Sequence, residues 1–175
     1  MNHLYLALDK SLNWKVFVLV LLSLGIVGGA IGYTVVQIMN VSGEGILDFE
    51  LGHSIGRINE MFNAYDDSGM ALYQRILLLD LVNPLIYSWL TAMLLYLLVR
   101  HTRWRWVVVT ALFPGFFDYA ENYFLYQFFL TYPAIDPAQV DIANVLSLVK
   151  QAAFVATLAV FVFAGVQKIQ ARKST

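Results

Sequence analysis

The chain has 175 residues, of which 59% are hydrophobic and only 13% charged, and its formal net charge is −1. A soluble domain carries about 25% charged residues, so the composition points to a membrane protein, and the near-neutral charge offers no basic field for nucleic acid. The absence of cysteine excludes disulfides, thiolate metal sites and cysteine nucleophiles.

A spanning helix needs about 20 mostly apolar residues. Four stretches qualify: residues 14–39, 76–99, 106–130 and 142–166. Little chain remains for a soluble unit, so residues 1–175 are expected to form a single membrane domain: an all-α, four-transmembrane-helix bundle. Lysine and arginine concentrate on the cytoplasmic side of membrane proteins. Lys10 and Lys15, then Arg100, Arg103 and Arg105, then Lys168, Arg172 and Lys173 alternate with two acidic loops. That pattern predicts N-in/C-in topology in a bacterial inner membrane.

The apolar run after Lys10 and Lys15 exceeds the 7–15 residues typical of a signal-peptide core, so it is expected to be a retained first helix. It carries Gly25/Gly29 and Gly28/Gly32, two overlapping G-x-x-x-G pairs that let helix backbones approach closely. The pairs fit packing inside the bundle, or the seam of a homodimer or larger complex. The first outer loop, residues 40–73, then shows apolar residues at helical spacing: Ile55, Ile58, Met61, Phe62 and Tyr65. Ser54 is a suitable N-cap and Asp66-Asp67-Ser68-Gly69 a suitable stop. This pattern predicts an amphipathic interfacial helix over 54–65, either a simple surface belt or a lid with Ile58, Met61 and Phe62 facing down.

In the second span Pro84 removes a hydrogen bond to the carbonyl of Asp80, and Tyr73, Asp80, Asn83, Tyr87 and Thr91 form one polar stripe. In the third, Asp118, Glu121 and Asn122 share a face, just beyond a kink expected at Pro114-Gly115. In the fourth, Asn144, Ser147 and Gln151 share a face with Lys150 on its flank. An ionisable side chain at membrane depth costs roughly 2.5–3.5 kcal/mol on insertion scales and marks a site by default. At about 1.5 Å per residue, Asp80 lies roughly 8 Å from the outer surface, Glu121, Asn122 and Lys150 roughly 14–15 Å, and Asp118 about 20 Å. Matched depth on three helices implies that these groups face one another, with Lys150 paired to a carboxylate.

Three carboxylates against one lysine suit a general acid, a proton carrier or a cation site, or a satisfied network that fixes helix register. His3, His53 and His101 are too few and too scattered for a multi-histidine zinc site. No metal ligand set is assigned and the cofactor, if any, is left open. There is no G-x-S-x-G elbow or P-loop. The leading expectation is an intramembrane polar pocket in the outer half of the bundle that binds or processes a lipid-like small molecule. Asp118 or Glu121 would serve as acid/base and Lys150 would stabilise negative charge. Asp80, Asn83, Tyr87, Asn122, Ser147 and Gln151 would bind the ligand. The alternatives are an accessory or proton-translocating subunit of a larger complex and a purely structural four-helix protein.

Overall fold

The computed structural model describes residues 1–50 and 52–173. Among these residues the protein is all helical. The helices are α1 (Asn2–Ser11), α2 (Trp14–Ser42), α3 (Ile55–Leu79), α4 (Asn83–Val99), α5 (Phe113–Thr131) and α6 (Pro137–Lys173), with 3-10 segments at Leu47–Phe49 and Arg105–Leu112. Three stretches are long and apolar enough to cross a membrane: Trp14–Ser42, Ile55–Val99 and Pro137–Gln170. Many large apolar side chains, among them Leu22, Ile26, Leu85, Val155 and Leu158, face outward, a surface suited to lipid rather than water.

Local chemistry sets the boundaries. Asn13 caps α2, its side chain accepting from the Lys15 N–H, and α2 ends at Gly43 in the left-handed conformation, which glycine adopts without steric cost. Ser54 caps α3 by accepting from the Arg57 N–H. The helix expected over 54–65 is only the first half of α3. Asp66, at φ 50° and ψ −169°, ends that first helical segment where the sequence predicts a stop, and a second segment follows directly across the kink to Leu79. The Asp66 carboxylate accepts from the Ser68 N–H at 2.8 Å, the Ser68 hydroxyl at 2.8 Å and the Gly69 N–H at 3.0 Å, so it caps the segment that follows. Ile58, Met61, Phe62 and Tyr65 face inward and are buried.

The expected second span is likewise broken. α3 closes at Leu79 and α4 opens at Asn83, with Pro84 in the first turn of α4. There the proline displaces no hydrogen bond, because the first turn of a helix has no internal acceptor for its N–H groups. Pro84 therefore starts a helix where the sequence suggested a hydrogen bond lost inside one. The expected third span is split between the 3-10 segment Arg105–Leu112 and α5, with Pro114 again in the first turn. The fourth is longer than expected at both ends, and α1 adds a helix that the sequence reading omitted.

Two apolar cores flank the middle of the molecule. One gathers Ile38, Ile58, Tyr65, Tyr73, Leu125, Phe128 and Ala143. The other gathers Tyr5, Leu8, Met93, Tyr96, Val108 and Ala164. On α6 the polar residues Ser147, Lys150 and Gln151 fall between Ala143, in the first core, and Ala164, in the second. The glycines of α2 join neither core. A side chain added at Gly25, Gly28, Gly29 or Gly32 would meet nothing within 4 Å, so their reading as a packing face inside the bundle is overturned.

Candidate functional site

The break between α3 and α4 exposes backbone and a carboxylate, and α5 supplies the groups that satisfy them. Tyr119 donates its hydroxyl to the Leu81 carbonyl at 2.6 Å. Asp80 receives two amide N–H groups: Asn83 Nδ2 on Oδ1 at 3.1 Å and Asn122 Nδ2 on Oδ2 at 2.6 Å. Freed backbone at membrane depth is tolerated only where protein or a wet cavity satisfies it.

The approach of α5 to α4 rests on Gly115. A Cβ there would lie 2.1 Å from Ser88 Oγ and 2.9 Å from the Pro84 carbonyl oxygen. One turn further along α5, Asp118 reaches the opposite helix and accepts from Tyr87 Oη at 2.8 Å. From α6, Lys150 Nζ donates to Asp118 Oδ1 at 3.0 Å and also pairs with Glu121. The side chains of Lys150, Asp118 and Glu121 are 13%, 10% and 1% exposed. A charge so enclosed persists only when paired and hydrogen-bonded.

Seven residues singled out in the sequence therefore converge: Asp80, Asn83, Tyr87, Asp118, Glu121, Asn122 and Lys150. Ser147 is buried and Gln151 half-buried, and neither shares a hydrogen bond with this cluster. Asn144, on the same face of α6, instead clamps the backbone of His53, accepting from its N–H at 2.6 Å and donating to its carbonyl at 2.9 Å.

The structure adds one carboxylate that the sequence reading placed in an outer loop. Asp48, on the 3-10 turn Leu47–Phe49, turns inward and lines a cavity of about 150 Å³ together with Asp80, Asn83, Asp118 and Lys150; Ile31, Ile46, Phe49 and Ile76 complete the wall. Burial, helped by the negative charge of Asp80, pushes the Asp48 carboxyl up to about 7. The signal was in the sequence: Ile46-Leu47-Asp48-Phe49 embeds an acid among apolar residues, unlike the rest of that loop. The strap bearing Asp48 is tied down. Arg57 donates to Glu44 at 2.7 Å and to Glu50 at 2.7–2.8 Å, and Tyr65 donates to the Gly45 carbonyl at 2.6 Å. His53 is buried beside it with both ring nitrogens unpartnered, and burial holds its imidazole below the usual histidine range.

Several acceptor atoms remain without partners: Asp48 Oδ2, Glu121 Oε1 and Asn122 Oδ1. Among the described residues no group of three or more histidine, aspartate or glutamate side chains is arranged to hold a metal ion. Comparison of the chain with protein-family models, with curated proteins and with solved structures gives no match.

Proposed function

We propose that this protein is an integral membrane binding protein whose pocket takes the polar head of a lipid-like molecule. In this reading residues 1–175 form one membrane domain with four crossings, made by α2, the α3–α4 unit, α5 and α6. The basic flanks support a reading with both termini in the cytoplasm of a bacterial cell and the strap of residues 44–50 on the outer side.

The observation that carries the reading is the cavity among Asp48, Asp80, Asn83, Asp118 and Lys150. Ligand sites are concave and mostly apolar, with a few convergent polar groups, and this one joins charged groups to an apolar wall. A groove between α2 and α4 supports the same reading. It is lined by Leu19, Val20, Ser23, Leu85, Ile86 and Trp89, with a volume of about 390 Å³. The groove starts on α4 at Leu85, two residues after Asn83, and in this reading it takes the alkyl chain. Lys150 and Asp118 serve as a charged floor held by Glu121 and Tyr87 behind it, and Asp80 and Asn83 shape the wall, with Asn122 behind Asp80.

The test is an inventory of the lipids and metabolites that copurify with the chain in mild detergent, for the wild type and for Trp89→Asp, which places a charge in the groove. A single amphiphile enriched with the wild type and lost with Trp89→Asp is expected. A profile equal to bulk membrane lipid in both would overturn the reading and leave a proton-relay or structural role for the buried cluster.

A further inference from the structure

We propose that the head this pocket takes carries a primary ammonium group: the ligand is a single-chain amphiphilic amine whose N–H groups donate to carboxylate oxygens lining the cavity. The inference rests on the head-group reading above and adds the chemical class.

The argument is a count of donors against acceptors. Lys150 supplies one ammonium, and both Asp118 and Glu121 draw on it. The amides of Asn83 and Asn122 occupy the two oxygens of Asp80, and the Tyr87 hydroxyl occupies the second oxygen of Asp118. After these pairings unpaired atoms of both kinds remain: the Tyr73 and Ser88 hydroxyls and a His53 ring N–H as donors, none of them from a residue that lines the cavity, and, in the cavity wall itself, the acceptor Asp48 Oδ2. Asp48 Oδ2, Glu121 Oε1 and Asn122 Oδ1 are enclosed without a partner, although Glu121 is fully buried and Asn122 only 6% exposed. Buried polar atoms are rarely left unpaired, and each orphan calls for an explanation. Asp48 is the one of the three whose residue lines the cavity directly.

Charge points the same way. Four carboxylates, Asp48, Asp80, Asp118 and Glu121, share one neighbourhood with a single lysine. A carboxylate or phosphate head would bring more acceptors and like charge. An alcohol brings one donor and no charge. A primary ammonium brings three donors and one positive charge. A quaternary ammonium brings charge without donors, and it is recognised by aromatic cages, whereas the only aromatic ring in this wall is Phe49. Size is consistent with a compact head: at about 30 Å³ per water-sized group, a cavity of about 150 Å³ holds an ammonium and a few neighbouring atoms, with the chain left to the groove.

The experiment uses the full chain in an uncharged detergent and four probes of equal length: dodecylamine, dodecanol, dodecanoate and dodecyltrimethylammonium. Binding is read by isothermal titration. Dodecylamine is expected to bind about tenfold or more tighter than dodecanol or the quaternary amine, the effect of one charge-assisted hydrogen bond, with dodecanoate weakest. Asp48→Asn should cut the amine's advantage over the alcohol by about tenfold. Asp141→Asn, an exposed carboxylate at the start of α6, should leave that advantage intact, which separates the pocket from general surface charge. Equal affinity for the primary and quaternary amines overturns the inference, as does an advantage unchanged by Asp48→Asn. Binding of the alcohol or the carboxylate without the amine overturns it while sparing the head-group reading. Binding of none of the four overturns both.

Discussion

Asn122 and Asp80 meet at 2.6 Å, where the amide of one donates to the carboxylate of the other. With the Tyr119 hydroxyl on the Leu81 carbonyl, that bond joins the middle of α5 to the break between α3 and α4, 42 residues earlier in the chain. Among the described residues Asp80 has one other side-chain donor, Asn83. Asn122→Ala should therefore leave one carboxylate oxygen unpaired and cost about 1–3 kcal/mol of stability. Asp80→Asn in the same background removes the orphaned acceptor's charge, so the double variant should lose less than the sum of the two single losses. Thermal unfolding of the four proteins decides the matter. Additive losses would mean that the bond does not hold the break to α5.

Gly115 makes the second junction. Its missing side chain lets α5 lie against Ser88 and the Pro84 carbonyl, and Asp118 reaches Tyr87 one turn later. Gly115→Ala should cost about 1–3 kcal/mol through overpacking and loosen the Tyr87–Asp118 bond. Ser88→Ala removes the nearer obstacle, yet the Pro84 oxygen is backbone and cannot rotate away. The Gly115→Ala/Ser88→Ala pair should recover part of the loss and not all of it. Full recovery, or no loss in the single variant, would show that the helices are not in such close contact at this point.

Most of this cluster was legible in the sequence, because depth can be counted along a helix. Asp80, Asp118, Glu121, Asn122 and Lys150 fall at similar distances from the ends of apolar runs, and buried ionisable groups must find one another. Asp48 was not legible by the same count, since it belongs to no apolar run and its inward turn depends on ties made by Arg57 and Tyr65. Hydropathy flows smoothly across Pro84 and Pro114, which makes both look internal to a helix, Pro84 as a lost hydrogen bond and Pro114 as a kink. Each opens a new helix instead, as the preference of proline for a first turn allows. Asp66 ends the first segment of α3 as its place in the sequence suggests, but its carboxylate also caps the next segment, a second role that the sequence pattern does not separate from the first. The α2 glycines do not mark packing inside the bundle, because spacing says that close approach is permitted, not which surface approaches.

Asp48 gives the chain a specific pH dependence. Its carboxyl is raised to about 7 in the folded protein, chiefly by burial and then by Asp80, from an ordinary value of 3.8. Between those values the folded state keeps a proton that the unfolded state gives up. Stability therefore falls as pH rises from about 4 to about 7 and levels off above, with a slope from this group of at most about 1.4 kcal/mol per pH unit. Asp48→Asn removes the titrating group. In ligand-free detergent the variant should gain on the wild type as pH rises from 4 to 8, with the difference close to zero at the acidic end. A stability difference that is the same at both pH values would show that Asp48 is solvated in the folded protein.

Among the described residues, Lys150 is the only cation paired with Asp118 and Glu121. Lys150→Ala leaves both carboxylates enclosed without a counter-charge, and breaking a buried pair in this way typically costs about 3–5 kcal/mol. The cost lies mainly in the orphaned charge and only partly in the lost attraction. Glu121 is the more deeply buried of the two acids, and Asp118 keeps the Tyr87 hydroxyl when Lys150 is gone. Neutralising Glu121 should therefore relieve more of the penalty than neutralising Asp118. In the Lys150→Ala background, Glu121→Gln is expected to restore a substantial part of the lost stability and Asp118→Asn a smaller part, although each is destabilising alone. Thermal unfolding of the wild type, the three single variants and the two doubles measures both couplings. Strictly additive losses would separate Lys150 from the carboxylates and remove the charged floor from the pocket. Equal rescue by the two substitutions would keep the pair but assign no larger share of the penalty to Glu121.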